Sequence, residues 1–94
     1  MNQKGSRGIF QITVQQIRAA RGLLGWSQTE LAERAGLSLP TVKRVEAEKG
    51  PRVSEEARLK LQQALELEGI AFIPENGGGP GVRLRKGHRT KPSK

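Results

Sequence analysis

The chain has no cysteine and no tyrosine, one tryptophan, two phenylalanines and one histidine. The missing cysteines exclude a disulfide framework and any thiolate metal site, which fits a reducing compartment such as the cytosol. Aromatic residues make up 3% of the 94 residues and hydrophobic residues 34%, so the core must be small and aliphatic. That length supports one small domain. A domain of this size is marginal alone, and oligomerisation would help it. No apolar run approaches the roughly 20 residues of a membrane-spanning helix, and the opening "MNQKGSRGIF" lacks the apolar core of a signal peptide. The expectation is a soluble, cytoplasmic protein with no membrane contact.

Acidic residues are also missing from one region. Beyond Glu75 there is none, while Arg83, Arg85, Lys86, Arg89, Lys91 and Lys94 follow, and the formal net charge of the whole chain is +8. A basic end beside a mixed-charge domain points to a polyanionic partner, nucleic acid before membrane. A solubilising, disordered end would carry the same charge.

What is present is a series of short helical patterns with clear starts and stops. "IFQIT" alternates apolar and polar residues and reads as a short N-terminal strand. Thr13 is placed as an N-cap, and Val14, Ile17, Ala20 and Leu24 recur at helical spacing up to Gly25, which is free to take a positive φ. Ser27 with Glu30 reads as a capping box that opens "QTELAERAG", with Leu31, Ala32 and Ala35 inward and Gly36 at its end. Ser38 caps the next helix, 39–47, with Val42 and Val45 inward. Pro40 falls in the first turn, where a missing N–H costs little, so the Ser38 hydroxyl must serve Thr41. "AEKGPRV" is a loop. Ser54 caps "EEARLKLQQALELE", whose Glu55 and Glu56 sit at the positive end of the helix dipole. Ala57, Leu61, Ala64 and Leu65 make one stripe of that helix, and Leu59 and Leu67 lie off it. After Gly69, "IAFI" and "VRLR" read as two strands of a hairpin joined by the flexible tip "PENGGGPG". The chain thus divides into a flexible N-terminus (1–8), a helical domain (9–69), a hairpin (70–85) and a disordered basic tail (86–94). The fold class is mostly α: a compact four-helix bundle with a short C-terminal β-hairpin and an N-terminal strand.

The informative pattern is the pair of short helices joined by a tight turn, 28–47. Steeply crossing helices need a small residue at the contact, here Ala32. The turn needs one that tolerates positive φ, here Gly36. The β-branched Val42 and Val45 seat the second helix. This leaves Ser38, Leu39, Thr41, Lys43 and Arg44 on its outer face. Together, "WSQTELAERAGLSLPTVKRVEAEKG" resembles the helix-turn-helix of the phage-repressor/Cro family, the XRE-type bacterial regulators, over residues 13 to about 68.

The resemblance implies a sequence-specific transcriptional regulator, a repressor before an activator, that binds a two-fold operator in double-stranded DNA as a homodimer and is found with the nucleoid. Its second motif helix would lie in the major groove. Ser38, Leu39, Thr41 and Arg44 would occupy base-facing or base-adjacent positions. Arg44 leads because a guanidinium can engage guanine O6 and N7 together, and Thr41 is suited to a thymine methyl or a base acceptor. Ser27, Gln28, Thr29 and Lys43, with Lys49 and Arg52 in the next loop, would hold phosphates. Glu46 would pair with Arg21 as a structural ion pair rather than touch DNA. Many members of the family carry amides where this chain has Leu39 and Pro40. Leu39 offers only van der Waals contact, so readout narrows toward a methyl contact, Arg44, Thr41 and DNA shape.

The remaining candidates read as structural. Trp26, between the first two helices, is a core plug before a base-stacking platform. His88 lies in the tail, away from any metal-ligand pattern. "ENGGGPG" lacks the strand–loop–helix setting and the Lys-Ser/Thr of a phosphate loop. Nothing in the chain supports an enzyme, a cofactor, a metal or a small-molecule ligand. Leu59, Leu67, Phe72 and Ile73, with an exposed strand edge, are the expected dimer interface; the alternative is that the hairpin merely covers the core. Two other functional classes stay open: a non-specific basic nucleic-acid protein, RNA-binding or architectural, and an antitoxin or controller-type protein-interaction module on the same fold.

Overall fold

Thr13 opens the first helix, α1 (Val14–Leu24), with a hydroxyl that accepts the Gln16 N–H, and the Gln16 side chain accepts the Thr13 N–H in return. This reciprocal pair satisfies two of the donors a helix start leaves open. Gly25 then ends α1 at φ 71°, its N–H turned back onto the last carbonyls. The computed structural model describes residues 11–47 and 54–85. Within them, α2 (Gln28–Ala35), α3 (Leu39–Ala47) and α4 (Glu55–Leu67) follow, then β1 (Ile70–Ile73) and β2 (Gly81–Leu84).

Each of these helices starts on a serine. Ser27, Ser38 and Ser54 accept from the N–H groups of Glu30, Thr41 and Ala57. The expected box at Ser27 is only half made. The Glu30 carboxylate does not return to the Ser27 backbone but pairs with Arg34 one turn on, at 3.2 Å. A cation within reach competes well with a neutral N–H for a carboxylate.

Ile17, Ala20, Leu31, Val42, Val45, Leu61 and Leu65 are fully enclosed, and Ile12, Trp26 and Ile70 complete one aliphatic core around them. Trp26 therefore sits in the core. Its ring carries the Arg34 guanidinium 4.8 Å from the centroid, a cation–π contact that leaves Arg34 free to bridge Glu30 and, at the C-cap of α4, Glu68.

Residues 11–13 are not in a strand, which corrects the expected N-terminal strand for those residues; Ile9 and Phe10 lie outside the described residues. The reason is visible at Thr13, whose backbone and side chain are committed to capping α1, and at Ile12. Ile12 fills the core as a single side chain, and its carbonyl is taken by Arg58 of α4 at 3.0 Å.

β1 and β2 pair antiparallel with Ile70 opposite Leu84 and Ile73 opposite Gly81. The second strand begins one residue before "VRLR", because Gly81 is already in register. Phe72, Val82 and Leu84 pack on the core. The tip is more ordered than its composition implies: the Glu75 carboxylate accepts from the N–H groups of Gly77 and Gly79, at 2.9 and 3.2 Å. Gln16, only 3% exposed, fastens the hairpin to α1. Its amide nitrogen donates to the carbonyls of both Ile73 and Gly81, at 3.0 and 2.8 Å.

Candidate nucleic-acid interface

α2 and α3 form two helices separated by a short turn at Gly36, which takes φ 72°. Leu37 N–H returns to the Ala32 carbonyl at 2.9 Å, closing the α2 end. Ala32, 3% exposed, lies in the buried face of α2 with Leu31, and Val42 and Val45 are the buried positions of α3. Pro40 lies in the first turn of α3, where no intrahelical partner is required of it, and the Ser38 hydroxyl accordingly accepts from Thr41 at 3.2 Å.

The buried end of α3 is held by a charged network. Glu46 is 3% exposed and Arg21 23%. The Arg21 guanidinium meets the carboxylate two-pronged, Nε to Oε2 at 2.9 Å and a terminal nitrogen to Oε1 at 2.8 Å. Such a planar match gives both energy and orientation. Its other terminal nitrogen donates to the Trp26 carbonyl at 3.1 Å. Glu46 is thereby a tie between helices, and its acceptors are directed inward. Arg18, one turn before Arg21 on α1, donates to the Glu46 backbone carbonyl at 2.8 Å, placing a cation at the negative end of α3.

Gln28 is drawn into the same network. Its amide nitrogen donates to Glu46 Oε1 at 2.9 Å. Expected from the family resemblance to hold a phosphate, it is half committed within the protein, with one amide hydrogen left for another acceptor. Thr29 is exposed beside it. The first intrahelical bond of α2 runs from Leu31 N–H to Ser27 C=O, so the N–H groups of Gln28 and Thr29 are among the donors that a helix start leaves unpaired.

Ser38, at the start of α3, and Lys43 and Arg44 on it are exposed, and Leu39 and Thr41 are half-buried. Thr41 is less available than its spacing implies, since its hydroxyl and that of Ser38 lie 2.8 Å apart. Thr41 and Arg44 line a cleft of about 370 Å³ whose far wall is the start of α4, with Ser54, Ala57 and Lys60. Lys49 and Arg52 lie outside the described residues, as does His88. Of the expected interface residues, Leu59 and Leu67 are 51% and 77% exposed. Phe72 and Ile73 are half-buried, Phe72 against the core.

The described residues contain no group of acidic or histidine side chains placed to hold a metal ion, and no described helix is long and apolar enough to cross a membrane. Gln16, Arg18 and Arg58 carry structural hydrogen bonds that the sequence reading did not assign. A polar residue at a buried helical position, such as Gln16 one place before Ile17, is the only local signal that any of them gave. No curated protein matches the sequence. A helix-turn-helix family model matches residues 17–68, from within α1 to the end of α4. That is more than half of the chain, and the protein belongs to the XRE-type helix-turn-helix family of DNA-binding transcriptional regulators.

Proposed function

We propose that the protein is a sequence-specific repressor that binds a two-fold operator as a homodimer, with α3 in the major groove. The supporting observation is the contrast between the two sides of α3. Its inner side is locked by Val42, Val45 and the Arg21–Glu46 pair, while Lys43 and Arg44 stand exposed with no partner among the described residues. Rigid seating beneath unpaired cations is what readout of a polyanion with base edges requires. In this reading Arg44 takes guanine O6 and N7, and Ser38, Leu39 and Thr41 lie at or beside base edges. Lys43, Ser27, Gln28 and Thr29 hold phosphates, joined by Lys49 and Arg52 of the α3–α4 segment. Leu59 and Leu67 supply the apolar surface of the dimer. Occupancy of the operator excludes polymerase, the simplest mode of control for a domain of this kind.

Selection of bound sequences from random duplex DNA tests the reading. The expected product is an inverted repeat with half-site centres about one helical turn, roughly 34 Å, apart. Recovery of a single asymmetric site would remove the homodimer, and recovery of no consensus would remove sequence-specific binding. In the last case, affinity for every duplex that collapses with salt alike identifies a non-specific basic binder.

A further inference from the structure

The charged side chains of the described residues divide into two groups. The cations of α1, α2 and α4 are engaged: Arg18 on the Glu46 carbonyl, Arg21 on the Glu46 carboxylate, Arg34 on Glu30 and Glu68, Arg58 on the Ile12 carbonyl and Lys60 on Glu56. Two pairs are not. One is Lys43 with Arg44 on α3. The other is Arg83 with Arg85 on and just after β2, both exposed.

The geometry of the second pair is fixed by the backbone. Arg83 lies opposite Ala71 in the ladder, while its neighbours Val82 and Leu84 pack on the core, so Arg83 faces away from it. Arg85 continues the same side two residues on, and its N–H is held by the Gly69 carbonyl at 2.8 Å. Two residues of extended chain separate the two Cα atoms by ~6.7 Å. Along a duplex axis, where each strand carries one charge per ~3.4 Å, that spacing spans about two steps, enough for each guanidinium to meet a separate phosphate. The hairpin is also docked to the helix that holds the reading helix. Gln16 grips the β1 and β2 carbonyls, and two residues further along α1, Arg18 grips the end of α3.

We infer that the Arg83–Arg85 face of the hairpin is a second DNA contact, made to the sugar-phosphate backbone, that strengthens binding without reading sequence. This rests on the proposed DNA-binding role of α3. A second copy of the chain is the competing occupant, but it has little to offer. Among the described residues Glu30, Glu46, Glu56 and Glu68 are paired with cations, Glu55 and Glu66 with glutamines, and Glu75 with its own loop. Only Glu33, on α2, is left over. An external polyanion meets the unpaired charge; among the described residues the protein's own acids, Glu33 aside, are already engaged.

The test compares the full-length chain with R83A/R85A and R83K/R85K on the selected site and on a random duplex, across a salt series. Each lost phosphate contact lowers the slope of log Kobs against log salt by about 0.9, so R83A/R85A should flatten it by about 1.8 per bound chain, about 3.6 for a homodimer on the inverted repeat. Affinity should fall by the same factor on both duplexes, with melting temperature and solution mass unchanged. R83K/R85K should keep the wild-type slope. An unchanged slope in R83A/R85A overturns the inference and leaves the reading of α3 intact. A change in slope accompanied by a change in solution mass also overturns it, because the arginines would then be joining copies. If the wild-type chain binds neither duplex, the reading of α3 falls and takes the inference with it.

Discussion

A carboxylate nearly closed off from water is tolerable only when its charge is met, and Glu46 is met from Arg21, Gln28 and, at its backbone, Arg18. Removing one partner of a buried pair leaves the other uncompensated, at a cost of about 3 kcal/mol. Arg21→Ala should therefore lower the urea midpoint by that equivalent at unchanged slope, and a denaturation curve superposing on wild type would rule out this role. Arg44 is the opposite kind of residue, exposed and without a partner among the described residues. Arg44→Ala should leave stability within about 0.5 kcal/mol and relax base preference at one operator position by about 1–3 kcal/mol. A uniform loss of affinity across all sequences would reassign it to phosphate. The two arginines look alike in composition. Their difference arises from which one has a carboxylate across the core.

Elements in this protein were legible where the deciding chemistry is local. Thr13, Ser27, Ser38 and Ser54 cap the helices they precede, and Gly25 and Gly36 end helices with positive φ. All of those interactions span a few residues. Gly36→Ala should cost about 1–2 kcal/mol from backbone conformation alone, since a Cβ there would meet nothing within 4 Å. Calorimetry showing no loss would mean that the turn relaxes out of its left-handed conformation. Gln16 was not legible, because its partners lie 57 and 65 residues away. Over residues 11–13 the N-terminal strand failed for a related reason: alternation over five residues cannot show whether a neighbouring strand exists, and Thr13 had already been claimed by α1. Half of the Ser27 box failed because Arg34 was the better partner for Glu30. Gln16→Ala would strip donors from two hairpin carbonyls and an acceptor from Thr13, so a loss of about 2 kcal/mol is expected. Faster amide exchange should be confined to β1, β2 and the start of α1. Exchange that rises uniformly would show that the hairpin is no separate cooperative unit.

At the scale of the whole molecule, a core drawn from so few aliphatic residues leaves little margin, and a second copy would bury more apolar surface. The hairpin cannot simply be removed to find the interface. Ile70 is 2% exposed within the core, and Phe72, Val82 and Leu84 pack against it, so truncation after Gly69 would damage the fold as well as any interface. Leu59 and Leu67 can be changed without that damage, being 51% and 77% exposed on α4. The double substitution Leu59→Glu/Leu67→Glu places charges where a two-fold contact would bring them against their own copies. Sedimentation should then give the mass of one chain where the wild type gives two, with the thermal midpoint measured in dilute solution changed little. Affinity for an inverted repeat should fall at least tenfold, while affinity for an isolated half-site stays within about twofold, because only the linkage between reading helices is lost. A dimer that survives both charges would move the interface off α4, leaving the open edges of the β1–β2 pair as the next surface to test.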